Sequence, residues 1–303
     1  MKRYILTTLF TFSLILIVFP SFAYGISLFI QQFPVSYRWL ILVGVLFIIG
    51  ILSGVLSVWT FYARLFPIMG YKVYKVEKPS LPFKNVIKDR ISDVSIVIFL
   101  SILVNAIAYG WLIDVTFSSP QSLKLVGQFF LSFLILDSWF YWIHRLLHFS
   151  KKLFRIHRTH HLILVHEQVP FITKPLEDLL ASVINVVVTL SIVNILMGPV
   201  YIEVVIYSYI FWLWLIIPIG HSNVEFFTSP VRWLLGGPWI STTVTYHSLH
   251  HTRFKENYGA LSMLWDRLMG TVSPDYEAIY QRVIHEQPLT SIKEHLNFNN
   301  ESR

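Results

Sequence analysis

Three short stretches, "HRLLH" at 144–148, "HRTHH" at 157–161 and "HSLHH" at 247–251, hold eight of the chain's twelve histidines. Residues three and four apart share a helix face. His144 with His148, His157 with His160 and His161, and His247 with His250 and His251 therefore each aim two or three imidazoles at one region. Imidazole is the usual protein ligand for iron, zinc, copper and nickel, and no carboxylate interrupts the clusters. A tetrahedral zinc takes four protein ligands in a closed site and three in an open one, so eight nitrogens imply two metals. The other histidines are single. His285 and His295 lie in a polar stretch and read as solvated, and His166 is ambiguous. His221, after "WLIIPIG", reads on spacing alone as an interfacial residue, although Pro218 and Gly220 end a helix beside it.

The elements that must position these clusters are apolar. Hydrophobic residues make up 54% of the chain, aromatic residues 16%, and mean hydropathy is +0.59, outside the range of a soluble domain. The predicted fold class is all-α integral membrane. Crossing the bilayer core takes about 20 helical residues, and apolar runs of that order lie near 5–31, 39–66, 92–117, 123–147, 178–198 and 200–219. They predict a bundle of four to six transmembrane helices. The first run follows "MKR" and reads as a retained helix, with a cleaved leader as the alternative; the last two, joined by "GPV", read as a hairpin. Basic residues collect in 64–93 and in "HRLLHFSKKLFRIHR". The positive-inside rule puts both segments, with the N- and C-termini, on the cytoplasmic side, and so gathers the clusters into a histidine-rich cytoplasmic cap. The absence of cysteine excludes disulfides, thiolate metal sites, iron–sulfur clusters and a catalytic thiol. The net charge of +7 is assigned to loops and anionic headgroups, not to nucleic acid. One structural domain is expected, with N-terminal membrane helices and a basic loop at 1–120, the histidine-bearing region at 121–275 and a polar C-terminal tail at 276–303.

From Asp137 to Thr271 the chain resembles the fatty acid hydroxylase and sterol desaturase superfamily of membrane-bound di-iron oxygenases. "DSWFYWIHRLLH" is similar to the family's first histidine box and "HRTHH" to its second. "YHSLHHTRFKENYGALSMLWDRLMGT" is similar to the third with its downstream run, where Asn257, Tyr258, Gly259, Trp265, Asp266 and Gly270 stand as in the family. "GHSN" resembles the extra histidine after the last hairpin and brings His221 into the ligand set. One departure stands out: "KPLED" has Lys174 where the family commonly has a histidine, ahead of Pro175 and Glu177, which leaves His166 as the nearest substitute.

The resemblance implies two iron ions held by His144, His148, His157, His160, His161, His221, His247, His250 and His251. It also implies O2 as co-substrate and hydroxylation or desaturation of a lipid, whether fatty acyl, sterol or related. Electrons must come from outside, from a reductase, ferredoxin or cytochrome b5-like donor docking on the basic face. Asp137 precedes His144 by two helical turns and is expected behind the metal ligands as an orienting carboxylate; Asp266 is expected to tie down the C-terminal segment. Two other classes compete, a zinc-dependent membrane hydrolase and a histidine-lined metal transporter. Against the first, no HExxH or evident general base accompanies a histidine pair. Against the second, the clusters sit at the membrane surface, not along a path through it.

Overall fold

The computed structural model describes residues 1–52, 66–75, 113–114, 123–162, 164, 177, 180, 184–210 and 220–292. The apolar run at 92–117 (apart from 113–114) and the end of the run at 200–219 lie outside the described residues, as do His166, Lys174 and His295. The described chain is mostly helical. Four strands of two residues each complete it: β1 (Tyr71–Lys72) pairs antiparallel with β4 (Val224–Glu225), and β2 (Ile113–Asp114) pairs parallel with β3 (Val200–Tyr201).

Two helices among the described residues are long and apolar enough to cross a membrane, α1 (Lys2–Gln31) and α3 (Leu123–Phe149), against the four to six expected. Only 22% and 17% of their apolar windows is buried within the protein. Leu16, Ile17, Phe130 and Leu134 instead point outward, which an aqueous core helix would not allow. A π turn at Leu14–Val18 comes just before Pro20 of α1. Proline lacks the N–H that would bond the carbonyl four residues back and its ring crowds that carbonyl, so the wider turn relieves both.

At one end of the bundle, Ala23, Ile26 and Ile30 of α1 pack with Leu42 and Val43 of α2 (Val35–Leu52). Leu190 and Val193 of α5 (Ile184–Met197) and Ile202 and Ile206 of α6 (Ile202–Ile210) complete this cluster. The α5–α6 connection is the tight turn expected at "GPV", with Gly198 at φ +75°. Gln128 of α3 donates to the carbonyls of Gly198 and Pro199 and accepts from the Tyr201 N–H at 2.9 Å. One buried amide thus satisfies backbone groups that the break between helices leaves open, as an apolar surround requires.

The opposite end carries the cap. Its core joins Tyr71, Val73 and Tyr74 to Phe226, Phe227, Val244 and Leu249. α1 starts here: Thr8 bonds Thr228 at 2.7 Å, Thr11 donates to the Phe226 carbonyl, and Arg3 pairs with Glu286 at 3.2 Å. The first run is therefore built into the fold. So is the stretch set apart as a polar tail. α10 (Tyr276–Ile284) buries Tyr276, Ile279, Tyr280, Val283 and Ile284 in the cap core. Those positions repeat with helical period on one face, while the polar residues between them lower the average hydropathy and hide the face. Arg232 of α7 (Ser229–Leu234) fastens α10 from inside, donating to both oxygens of Glu277 at 2.9 and 3.0 Å and lying over the Tyr280 ring.

Candidate metal centre

The histidines arrive on three pieces of local structure. His144 and His148 occupy successive turns at the end of α3. Ser150 then leaves helical geometry (φ −129°, ψ 150°) and its hydroxyl accepts from the Leu153 N–H, capping α4 (Lys151–His157). This elbow folds α4 back so that His157, and His161 in the following 3-10 turn, face His148 at the end of α3, while His160 in the same turn faces His221 and His251. The third cluster lies on α8 (Val244–Arg253), which Thr243 caps through the Tyr246 N–H and Phe254 closes at φ +68°. Every residue of α8 from Val244 to His251 is buried, although the helix is largely polar. Polar side chains tolerate such burial only with partners. Glu225 supplies one, accepting from the N–H and hydroxyl of Thr245 at 2.8 and 2.7 Å; burial raises its carboxyl above the usual range.

All nine predicted histidines converge, in two groups. Ligand atoms of His144, His148, His157, His161 and His250 lie within 4.8 Å of one another, as do those of His160, His221, His247 and His251. The boxes do not map one to a group. Box two gives His157 and His161 to the first and His160 to the second, and box three gives His250 to the first and His247 and His251 to the second. His221 lies 2.9 Å from His247 and 3.4 Å from His160, nitrogen to nitrogen.

The proton positions decide what these groups are. His144 Nδ1 is 2.6 Å from the Tyr258 carbonyl, His250 Nδ1 is 2.7 Å from the Glu256 carbonyl, and His157 Nδ1 is 2.5 Å from a Glu177 carboxylate oxygen. Carbonyl and carboxylate oxygens accept, so each Nδ1 carries the hydrogen and each Nε2 its lone pair. Burial, followed by the neighbouring His144 ring, holds His157 and His250 well below the ordinary histidine pKa and brings His161 down to about 3. These rings are neutral. His144 Nε2 and His157 Nε2 nevertheless stand 3.0 Å apart, lone pair toward lone pair, and the buried His250 Nε2 has no hydrogen-bond partner among the described residues. In the second group His251 Nε2 lies 3.0 Å from His247 Nε2. Two imidazole nitrogens bound at about 2.0–2.1 Å to one cation stand roughly 2.9–3.4 Å apart, so the donor set fits a metal in each group.

Asp137, expected behind the histidines, is not there. Its oxygens accept from the Ser262 N–H at 2.9 Å and the Ser262 hydroxyl at 2.5 Å, and the Tyr258 carbonyl takes the place behind His144. The period that puts Asp137 on the His144 face is blind to the loop inserted between them. Asp266 does tie the loop, accepting from the Tyr258 and Gly259 N–H groups at 2.9 and 2.6 Å and from the Thr271 hydroxyl. Two groups of orienting residues escaped the sequence reading. Glu177 stood in the quoted "KPLED" without a role, and the carbonyls of Glu256 and Tyr258 have no side-chain signature. His285 is exposed, and its ring Nδ1 bonds the Gln281 carbonyl at 2.6 Å.

Two histidine-only clusters at the end of a helix long and apolar enough to cross a membrane define a membrane-associated protein with the donor set of a metal site. The fatty acid hydroxylase family's sequence profile matches residues 129–271, a stretch that holds all nine histidines and supports the resemblance to the fatty acid hydroxylase and sterol desaturase superfamily. Among its relatives, very-long-chain aldehyde decarbonylase CER1 of Arabidopsis thaliana is 26% identical over 146 residues, 48% of this chain and 23% of the relative. Protein CER1-like 1 of the same plant is 30% identical over 47% of this chain and 23% of its own length. Sphinganine C4-monooxygenase 2, also from Arabidopsis thaliana, is 31% identical over 50% of this chain and 56% of its own length. The chain thus spans about a quarter of the first two relatives and just over half of the third. No solved structure matches it.

Proposed function

We propose that this protein is a membrane-bound oxygenase that hydroxylates or desaturates a lipid, using two iron ions, O2 and electrons from an external donor. The observation that carries the reading is the approach of the His144 and His157 Nε2 lone pairs to 3.0 Å in one group, with the His247 and His251 Nε2 atoms equally close in the other, spacings that a cation bound in each group would explain. His144, His148, His157, His161 and His250 would hold one iron, and His160, His221, His247 and His251 the other. Iron so bound supplies the activation of dioxygen and the oxidation of an unactivated C–H bond. The protein's own part is orientation: Glu177, the Tyr258 carbonyl and the Glu256 carbonyl hold the Nδ1 protons, so the Nε2 atoms face inward. The relatives' names, an aldehyde decarbonylase and a sphinganine monooxygenase, support a long-chain lipid as substrate.

Between Lys124 and Arg145, α3 runs about 31 Å, the thickness of a bilayer's hydrocarbon core. His144 stands at its boundary, within reach of an acyl chain that stays in the membrane. The exposed side chains of Lys151, Lys152, Arg155 and Arg158 make the neighbouring surface basic, suited to an acidic electron carrier on the cytoplasmic side. The test is metal analysis of protein purified under anaerobic, iron-replete conditions, followed by addition of reductant and oxygen with membrane lipids. About two irons per chain and an oxidised lipid product are expected. A protein filled with zinc and consuming no oxygen overturns the reading.

A further inference from the structure

Beside the membrane helix α3, the cap shows an apolar surface that its own core leaves uncovered. Trp233 is 70% exposed, Trp239 72% and Leu268 63%, with Ile240, Leu264 and Met269 each near 40%. They come from two segments, "WLLGGPWI" at 233–240 and "LWDRLM" at 264–269. The first carries no charge; in the second Asp266 is fully buried. Arg267 keeps its guanidinium on the carbonyls of Trp239 and Pro238 and stacks on the Trp239 ring at 4.3 Å. The outward surface is therefore free of lysine, aspartate and glutamate. A patch of this kind in water is an aggregation hazard unless something covers it.

Its depth along α3 says what covers it. α9 (Leu264–Leu268) is fixed to α3 through Trp265, whose indole N–H donates to the Ser138 hydroxyl at 2.9 Å and whose ring stacks on Tyr141 and meets Trp142 edge-on. Ser138 lies about 10 Å down the helix from Arg145, inside the apolar interval. α9 consequently sits below the level of Arg145, and its outward side continues the uncovered apolar face that Leu134 and Trp142 present on α3. We propose that residues 233–240 and 264–269 form a wedge of the cap embedded in the lipid leaflet beside α3, with Trp233 and Trp239 in the interfacial zone that indoles favour. The proposal rests on α3 spanning the bilayer.

Because the chain has no cysteine, single cysteines report each position in the full-length protein. Trp239→Cys and Leu268→Cys, labelled with a bimane fluorophore and reconstituted in phosphatidylcholine vesicles, are compared with Phe130→Cys on the outer face of α3 and Gln287→Cys on the exposed polar cap. The wedge positions should be quenched by doxyl-labelled lipid as strongly as Phe130→Cys and should react many-fold more slowly than Gln287→Cys with a membrane-impermeant maleimide. Fast labelling without lipid quenching at both wedge positions, with Phe130→Cys quenched, overturns the wedge alone. Absence of quenching at Phe130→Cys overturns the membrane reading of α3 beneath it. Slow labelling without lipid quenching at the wedge positions means a second protein surface covers the patch, and also overturns the proposal.

Discussion

Three rings at the centre, His144, His157 and His250, are held from behind, and the back contact sets what the front can do. Glu177 fixes the His157 tautomer at 2.5 Å. Removing an orienting partner of a metal-bound histidine typically costs about 10–100-fold in metal affinity or activity. Glu177→Ala should therefore weaken iron binding by about that factor, while Glu177→Gln, which keeps an accepting oxygen, should stay closer to wild type. Iron titration of the purified variants checks this, and wild-type affinity in Glu177→Ala would show that the carboxylate does not orient the ring. His221 is the sharper case. It belongs to the four-histidine group alone, so His221→Ala should lower iron content by less than the two-metal total and abolish most activity. His285→Ala, at an exposed ring outside both groups, should match wild type in both measurements.

Among the elements, the loop after α8 does as much as the helices. It delivers two carbonyls to two histidines because Asp266 and Asn257 hold it from either side. Asn257, in the left-handed region at φ +59°, donates from its side chain to the Tyr246 carbonyl at 3.0 Å and accepts from the Ser273 N–H at 2.7 Å. Gly259 sits where a Cβ would come within 2.2 Å of the Ser262 carbonyl oxygen, a backbone atom that cannot step aside. Gly259→Ala should cost about 1–3 kcal/mol and, by shifting the Tyr258 carbonyl off His144, lower iron content as well. Thermal unfolding in detergent and metal analysis read the two effects separately. At the far end of the bundle, Gln128→Leu should lower stability by about 1–3 kcal/mol for the backbone groups it strands without changing iron content. An equal loss of iron would mean the two ends are coupled.

At the scale of the whole molecule, the cap closes on itself through both ends of the described chain, since Arg3 meets Glu286, β1 pairs with β4, and Leu289 bonds Val73 and Lys75 just after β1. The start of α1 and the segment after α10 are therefore expected on one side of the membrane. Reporter fusions at the N- and C-termini should give the same side, the cytoplasmic one by the positive-inside rule, and opposite sides would be incompatible with this cap. Metal should act on the same scale. Nine histidines from three helices and two turns meet only in the folded chain, and a ligand that binds the folded state stabilises it in proportion to the logarithm of its excess over Kd, about 2.7 kcal/mol at a hundredfold excess. Chelation should lower the melting temperature of the full-length protein, and iron should restore it.

The sequence alone determined the ligand type, because three clusters at helical spacing in a cysteine-free chain leave imidazole as the donor. It also determined the apolar character of α1 and α3, since composition and run length are local properties. Motif resemblance brought His221 to the site when spacing argued otherwise, and the convergence agrees with the motif. Only the tertiary structure decided the rest. That the boxes interleave, His160 parting from His157 and His161, follows from how the end of α3, the turn after α4 and α8 cross, which no single periodicity records. Asp137 turned to Ser262 instead of a histidine because the loop at 256–262 fills the space between them, and that loop approaches from more than a hundred residues away in the chain. The orienting groups behind His144 and His250 are backbone carbonyls, identical at every position of the sequence and distinguished only by where the fold puts them.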